Sequence, residues 1–502
     1  MKRILVTLTA LILVASCMLA FCACGQTPVL PGPDQDVTLG GSGDGSTPDA
    51  PTPDTDDDDV DLGVTDSTDN GGDEVKLDPD TVPATAGLIF RLNDDKKSYR
   101  VLDYFSKDGN AALATEVYIP YTYEGLPVTA IGYGAFDGVE TLESVVLPKT
   151  LVSIGDYAFR DCKALVALDI PATLKSIGVS AFDGCAGIAQ VNVDAANETY
   201  SSVGNCLVEK STATVILGTS AAALPDDGSV KAIAHHAFAG SAITSIVIPE
   251  SVTSIGRGAF VDCAALESVT LPAGLTVIED ATFDRCVSLG AITIPETVTS
   301  IGISAFEGCI RLLEIEIPAS VTEIGNCAFN GCKSIASVTF NEGLKTIGGE
   351  AFSGCESITH LTLPLTLERI GTMAFRKCTM LNRVDFNPVY KQVELSETNL
   401  VTNLDSNLVA IGNGAFYDCL SLEFFVIPRL VKTLEAYAFY GCTNENFIIY
   451  CEASSSQIAW QTNWNNTTAT FIYYSNTSVA KTTWCYQEVD GVYQIVINQP
   501  AS

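Results

Sequence analysis

Residues 251–272 read SVTSIGRGAFVDCAALESVTLP, and residues 297–318 read TVTSIGISAFEGCIRLLEIEIP. Both follow one skeleton, V-T-S-I-G-x-x-A-F-x-x-C, closed by L-x-x-V/I-x-L/I-P. The phenylalanine of that skeleton recurs at 136, 159, 182, 238, 260, 283, 306, 329, 352, 375, 416 and 439. Most steps are 23 residues and one is 22; those reaching Phe238 and Phe416 are 56 and 41. Five residues before each Phe stands Ile, or Leu434 in the last register. A fixed period of this size means a solenoid, in which each coil buries its apolar face only against its neighbours.

Each part of the skeleton has a physical reading. L-x-x-I-x-I-P alternates apolar and small polar residues, the pattern of a half-buried strand. A proline such as Pro272 or Pro318 ends it, because proline cannot donate to a ladder. S-V-T-x-I-G predicts a second short extended piece and a turn. A-F-x-x-C reverses the chain, with one helical turn expected there. Stacking coils at the ~4.8 Å spacing of neighbouring strands puts Phe on Phe and Ile on Ile.

These residues resemble the BspA-type branch of the leucine-rich-repeat surface proteins, over roughly residues 85–475. The resemblance implies a β-rich solenoid of the α/β leucine-rich-repeat type, curved, with a parallel sheet on one face. It also implies export and protein–protein contact, often adhesion. In the same frame residues 86–120 look like a hairpin-like N-terminal cap. Residues 121–446 are then the solenoid, and 447–502 a C-terminal cap and tail. Residues 190–236 look like irregular coils. Two features depart from the pattern: the insertion KQVELSETNLVTNLDSN at 391–407, and a tail after Ser475 without a place in the repeat.

Composition limits the function classes. The chain has 502 residues and is 47% hydrophobic, enough for a large core. Its formal net charge of −33 argues against nucleic acid, whose binding needs basic surface. Residues 31–80 hold sixteen Asp or Glu and one Lys, a local charge of −15. Residues 25–85 are rich in Pro, Gly, Ser, Thr and Asp and bury too little to offset ordering entropy, so they are expected to be a disordered linker. A coil of that length reaches about 45 Å. DTDDDDVD within it lacks the spacing of a calcium loop and reads as a solvated charge run.

Residues 1–24 read as an export signal: MKR, then an apolar uncharged stretch, then small residues and cysteines. The stretch resembles a bacterial lipoprotein signal. Cys24, after Ala23 and before Gly25, is the preferred lipid-attachment site, because it leaves a polar mature start; Cys17 is the alternative. An uncleaved anchor also fits, since the 21 residues from Ile4 to Cys24 are about the ~20 needed to span a bilayer. Either way the rest of the chain is placed outside the cytoplasmic membrane.

Seventeen cysteines suit a disulfide framework in an exported protein. Ten of them, however, stand three residues after a repeat Phe, and Val139 and Ser241 hold the equivalent position in two coils. The slot therefore reads as space for a small reduced side chain. A Cys451–Cys485 bridge in the cap is a separate possibility. With three histidines and no nucleophile, phosphate or dinucleotide motif in a fitting context, neither metal, cofactor nor catalytic residue is expected.

Function in a solenoid sits in the letters that change. Two columns of the strand should face outward. The candidate partner-binding residues taken from them are Thr270, Thr293, Glu316, Thr339, Thr362, Asp385, Arg383 and Phe424. His360 and Val426 belong to the same columns. Thr and Ser also suit a strand surface for reasons unrelated to binding. The expected partners are extracellular or surface proteins, with the membrane reached through the N-terminal lipid; the alternative is a carbohydrate-binding or wall-associated module.

Overall fold

The computed structural model describes residues 84–104, 114–386 and 406–451 in full. It adds the strand placements Leu400–Val401, Ala459–Trp460, Thr470–Tyr473, Thr483–Val489 and Val492–Asn498. The expected signal with Cys17 and Cys24, most of the expected linker and most of the 391–407 insertion lie outside the described residues.

Two parallel ladders run along the solenoid. The L-x-x-I-x-I segments form strands of three or four residues; His360–Leu363, Arg383–Phe386, Phe424–Ile427, Ile448–Cys451 and Thr470–Tyr473 make one five-stranded sheet. The S-I-G segments form two-residue strands, eight of which pair in series from Val277–Ile278 to Ala459–Trp460. Ile lies on Ile in that ladder, as in Ile301 with Ile324 and Ile324 with Ile347. The Ser or Thr that opens S-V-T explains itself here. Its hydroxyl donates to a main-chain carbonyl one coil back, for example Ser320 to Val298 O at 2.6 Å and Thr297 to Leu275 O at 2.7 Å.

Phe rings fill the centre. Neighbouring rings from Phe136 to Phe182 and from Phe238 to Phe439 stack at 4.8–5.6 Å with their planes nearly parallel. The 41-residue step does not disturb the column, since Phe375 and Phe416 lie 5.3 Å apart.

The expected helical turn at A-F-x-x-C is absent. The residue two before each Phe and the residue two after it both have positive φ, such as Ser304 (53°) and Gly308 (70°), or Ala281 (53°) and Arg285 (57°). Two left-handed residues four apart cannot continue a right-handed helix. They fold the segment into a tight turn instead. Its N–H groups reach the next coil, as Phe306 N–H reaches Ala328 O at 2.7 Å.

The turn also revises the reading of the cysteines. Among the described residues they are buried, with Cys327 half-exposed. All ten repeat cysteines direct their S–H at the carbonyl of the preceding coil's Phe, from Cys263 to Phe238 O at 2.9 Å to Cys378 to Phe352 O at 3.3 Å. Val139 opens the series and has no repeat Phe before it. Behind Ser241 the Phe column is broken. Cysteine therefore occurs where a Phe carbonyl awaits a donor, and small size alone does not define the slot. Burial pushes the Cys162 and Cys263 thiols up to about 12, which leaves these two without the thiolate character that reactivity needs. Cys451 is likewise buried, and the Cys485 side chain lies outside the described residues.

The break lies in the irregular coils. Tyr200–Val203, Cys206–Glu209 and Thr214–Leu217 form an antiparallel meander whose last strand joins the parallel ladder at Ala232–Ile233. Gly218 then takes the main-chain part of a repeat Phe, its N–H reaching Ala237 O at 2.7 Å. A Cβ at Gly218 would collide with the Phe238 ring, so only glycine fits. The buried core accordingly divides into two clusters that meet here. At the N-terminus, Leu88–Leu92 and Tyr99–Tyr104 form an antiparallel hairpin that passes the ladder on to Leu126–Ile131.

Candidate interaction site

The outward side of the longer strands changes character along its length. In the middle it is small and polar. Thr270, Thr293, Glu316 and Thr339 are exposed one per coil. Of these, Glu316 accepts a hydrogen bond from Asn341 Nδ2 at 3.0 Å. The structure does not gather these four into a cluster.

The next strands differ. Asp385 Oδ2 accepts from Arg383 Nε at 2.7 Å; its Oδ1 accepts from Thr362 Oγ1 at 3.2 Å and lies 3.2 Å from His360 Nε2. The Arg383 guanidinium lies over the Phe424 ring at 4.4 Å. Phe424 in turn meets Tyr450 at 4.9 Å. Thr362, Asp385, Arg383 and Phe424 are thus brought together across three neighbouring strands in register. Burial alone would raise the Asp385 carboxyl, but hydrogen bonds from His360 and Arg383 and their charges outweigh it and hold it below the usual range. The anion fixes one cation and orients the histidine, leaving an Arg–aromatic surface of the kind enriched at binding hot spots.

One column position differs from expectation. Val426 should face outward with Asp385, and in register it pairs with Tyr450. Yet Val426 is 0% exposed and Tyr450 4%, against 66% for Val247 in the same column farther along. Sequence reasoning passed over His360 and Tyr450 as site residues. The register of IIYC, 24 residues after FFVI, carries the signal for Tyr450.

The opposite, turn-bearing edge has its own features. A shallow cavity of about 500 Å³ opens at the irregular coils between Arg160, His236 and Arg285. Its polar groups are already paired within the chain: Arg160 with Asp137 at 2.6 Å, His236 with Asp183 at 2.8 Å, Arg285 with Asp262 at 2.6 Å. Beside it Asp284 is buried, with one oxygen held by Arg285 at 2.7 Å and Oδ1 without a partner. Burial pushes this carboxyl up to about 7; Arg285 opposes the rise, and Glu307 and Asp262 add to it.

The family model of the BspA type leucine rich repeat region matches residues 116–216, 222–326, 299–397 and 398–498. Solved structures similar to this chain include a leucine-rich repeat protein from Bacteroides ovatus, 24% identical over 78% of this chain and 98% of that one, with a TM-score of 0.44. A leucine rich cell surface protein from Faecalibacterium prausnitzii is 24% identical over 80% and 97%, with a TM-score of 0.36. The pneumococcal vaccine antigen PcpA is 16% identical over 76% and 78%, with a TM-score of 0.42. A search of curated proteins gives no match.

Proposed function

The chain belongs to the BspA-type leucine-rich-repeat family, and from that premise we propose that it is an exported surface protein that binds other proteins without catalysis, as an adhesin. The reading rests above all on the cluster in which Arg383, fixed by Asp385, covers Phe424 on the outward side of the sheet. A preformed Arg–aromatic pair offers large contact area at little ordering cost. The small side chains of Thr270, Thr293 and Thr339 leave the sheet open to close approach beside it. Anchoring through a lipid on Cys24, or on Cys17, would hold the solenoid at the membrane's outer face, with residues 25–85 as its tether.

The whole chain, immobilised and exposed to solubilised host and bacterial surface proteins, is expected to retain a protein ligand. Arg383→Ala with Phe424→Ala should weaken retention at least tenfold, while Thr270→Ala leaves it nearly unchanged. Retention of polysaccharide in place of protein would overturn the reading in favour of a glycan-binding module. Cys24→Ala should release the protein into the medium; persistence at the membrane would move the lipid to Cys17 or make the segment an uncleaved anchor.

A further inference from the structure

The chain ends in an element the repeat does not call for. Thr483–Val489 and Val492–Asn498 pair antiparallel without a slip, from Val489 opposite Val492 to Thr483 opposite Asn498. The two residues between them in sequence are Asp490 and Gly491, a favoured dipeptide for a tight hairpin turn. Thr483–Val489 takes Leu400–Val401 of the insertion on its other side. Among the described residues, Val492–Asn498 pairs with Thr483–Val489 alone, so it forms the edge of this three-stranded sheet.

That edge strand reads V-Y-Q-I-V-I-N. It carries no charge and no proline, the usual means by which sheet edges are kept from pairing with other chains. Five of its residues are β-branched or aromatic and favour the extended state. In a two-residue hairpin the closing pair exchanges both its hydrogen bonds, and bonded pairs then alternate. Val492, Gln494, Val496 and Asn498 therefore bond inward. Tyr493, Ile495 and Ile497 turn their N–H and C=O to the open edge.

We propose that this edge pairs antiparallel with the same strand of a second copy, about a two-fold axis at Ile495. The sequence is complementary to itself in that register. Tyr493 meets Ile497, Gln494 meets Val496, and Ile495 meets its own counterpart. No like charges oppose each other across the seam, although the chain as a whole carries −33. A two-fold pairing of one edge with itself uses that edge in both copies, so the product is a dimer. Two solenoids in one particle would then engage a surface together, and avidity would exceed the affinity of either. The proposal stands apart from the reading of the Arg383 site.

Sedimentation velocity of the whole chain over a wide micromolar range tests it. The expected result is a monomer–dimer equilibrium. Ile495→Pro removes an N–H from the open edge and none from the hairpin ladder, so it should give monomer throughout with an unchanged circular dichroism spectrum. Gln494→Lys with Val496→Lys places Lys opposite Lys between copies; it should weaken dimerisation at least tenfold, with recovery at high salt. Whichever variant keeps the wild-type unfolding midpoint decides. A wild-type chain that is monomeric throughout overturns the proposal, and so does a well-folded variant that dimerises as the wild type does.

Discussion

The coils from Phe238 to Phe439 and the stretch between Phe182 and Phe238 are written in the same repeat, but they solve different problems. In the first, rings, isoleucines and thiols all stack. In the second, the main-chain ladder continues through Gly218 while the ring column stops, and the core divides. The 41-residue step shows that added length is not the cause, because Phe375 and Phe416 remain stacked across it. In sequence the added length falls after the strand that ends at Phe386 and before Leu408, outside the A-F-x-x-C segment. The 56-residue step instead contains a register in which the Phe itself is replaced. Backbone ladder and ring column are therefore separable, and the column is what makes neighbouring coils one core.

The comparison is broken most directly by cutting rings on each side of it. Phe306 is fully buried between Phe283 and Phe329. Phe306→Ala should cost about 3–5 kcal/mol in urea unfolding. Phe182 stacks on Phe159 alone, at 5.5 Å, and stands at the edge of its cluster. Phe182→Ala should cost clearly less. Equal losses would show that burial of each ring, rather than its place in a column, sets the stability.

Much of this was legible before any coordinates. The Phe and Ile rulers fix the coil, its two extended pieces and its stacking, because each coil repeats the same burial problem. The turn was not, although its signal is present. Seven of the twelve residues two places after the repeat Phe are glycine, which points to positive φ rather than to a helix. Thr270 and Thr339 were chosen by column, and a column does not say what gathers. Asp385 gathers its neighbours because it is a short anion flanked in register by a cation, a histidine and a hydroxyl. The closing hairpin was missed as well, though Asp490-Gly491 between two alternating runs announces it.

The regular run contains one flaw that pH can expose. Asp284, one residue after Phe283, is buried with an unpartnered oxygen, and its carboxyl is raised to about 7. A folded-state value above the unfolded one means that the protonated form supports the fold. That stability is fully present below the ordinary carboxylate range and is lost as pH rises through about 7. A shift of this size corresponds to about 4 kcal/mol at most. Asp284→Asn should therefore be more stable than the wild type at pH 8 by up to that amount, with the gain shrinking to nothing near pH 4. An advantage that is the same at both pH values would mean that Asp284 does not titrate with folding.

The smallest expected effect sharpens the comparison most, because it asks why Ser241 and Val139 differ from the other coils. Two accounts of the cysteine column make opposite predictions at Cys309. If the slot needs only a small apolar group, Cys309→Ala should be tolerated better than Cys309→Ser, since a buried hydroxyl is costly to desolvate. If the slot needs a donor for Phe283 O, which Cys309 Sγ reaches at 3.2 Å, serine keeps the hydrogen bond and alanine does not. A net hydrogen bond is worth about 1 kcal/mol. Both variants lose sulfur volume, so the comparison isolates the donor. The structure favours the second account: Cys309→Ser should be the more stable of the two by about that amount. The same pair of residues exchanged at position 139, where no Phe carbonyl lies behind, should rank in the reverse order. A serine that is no better than alanine at 309 would return the column to simple packing.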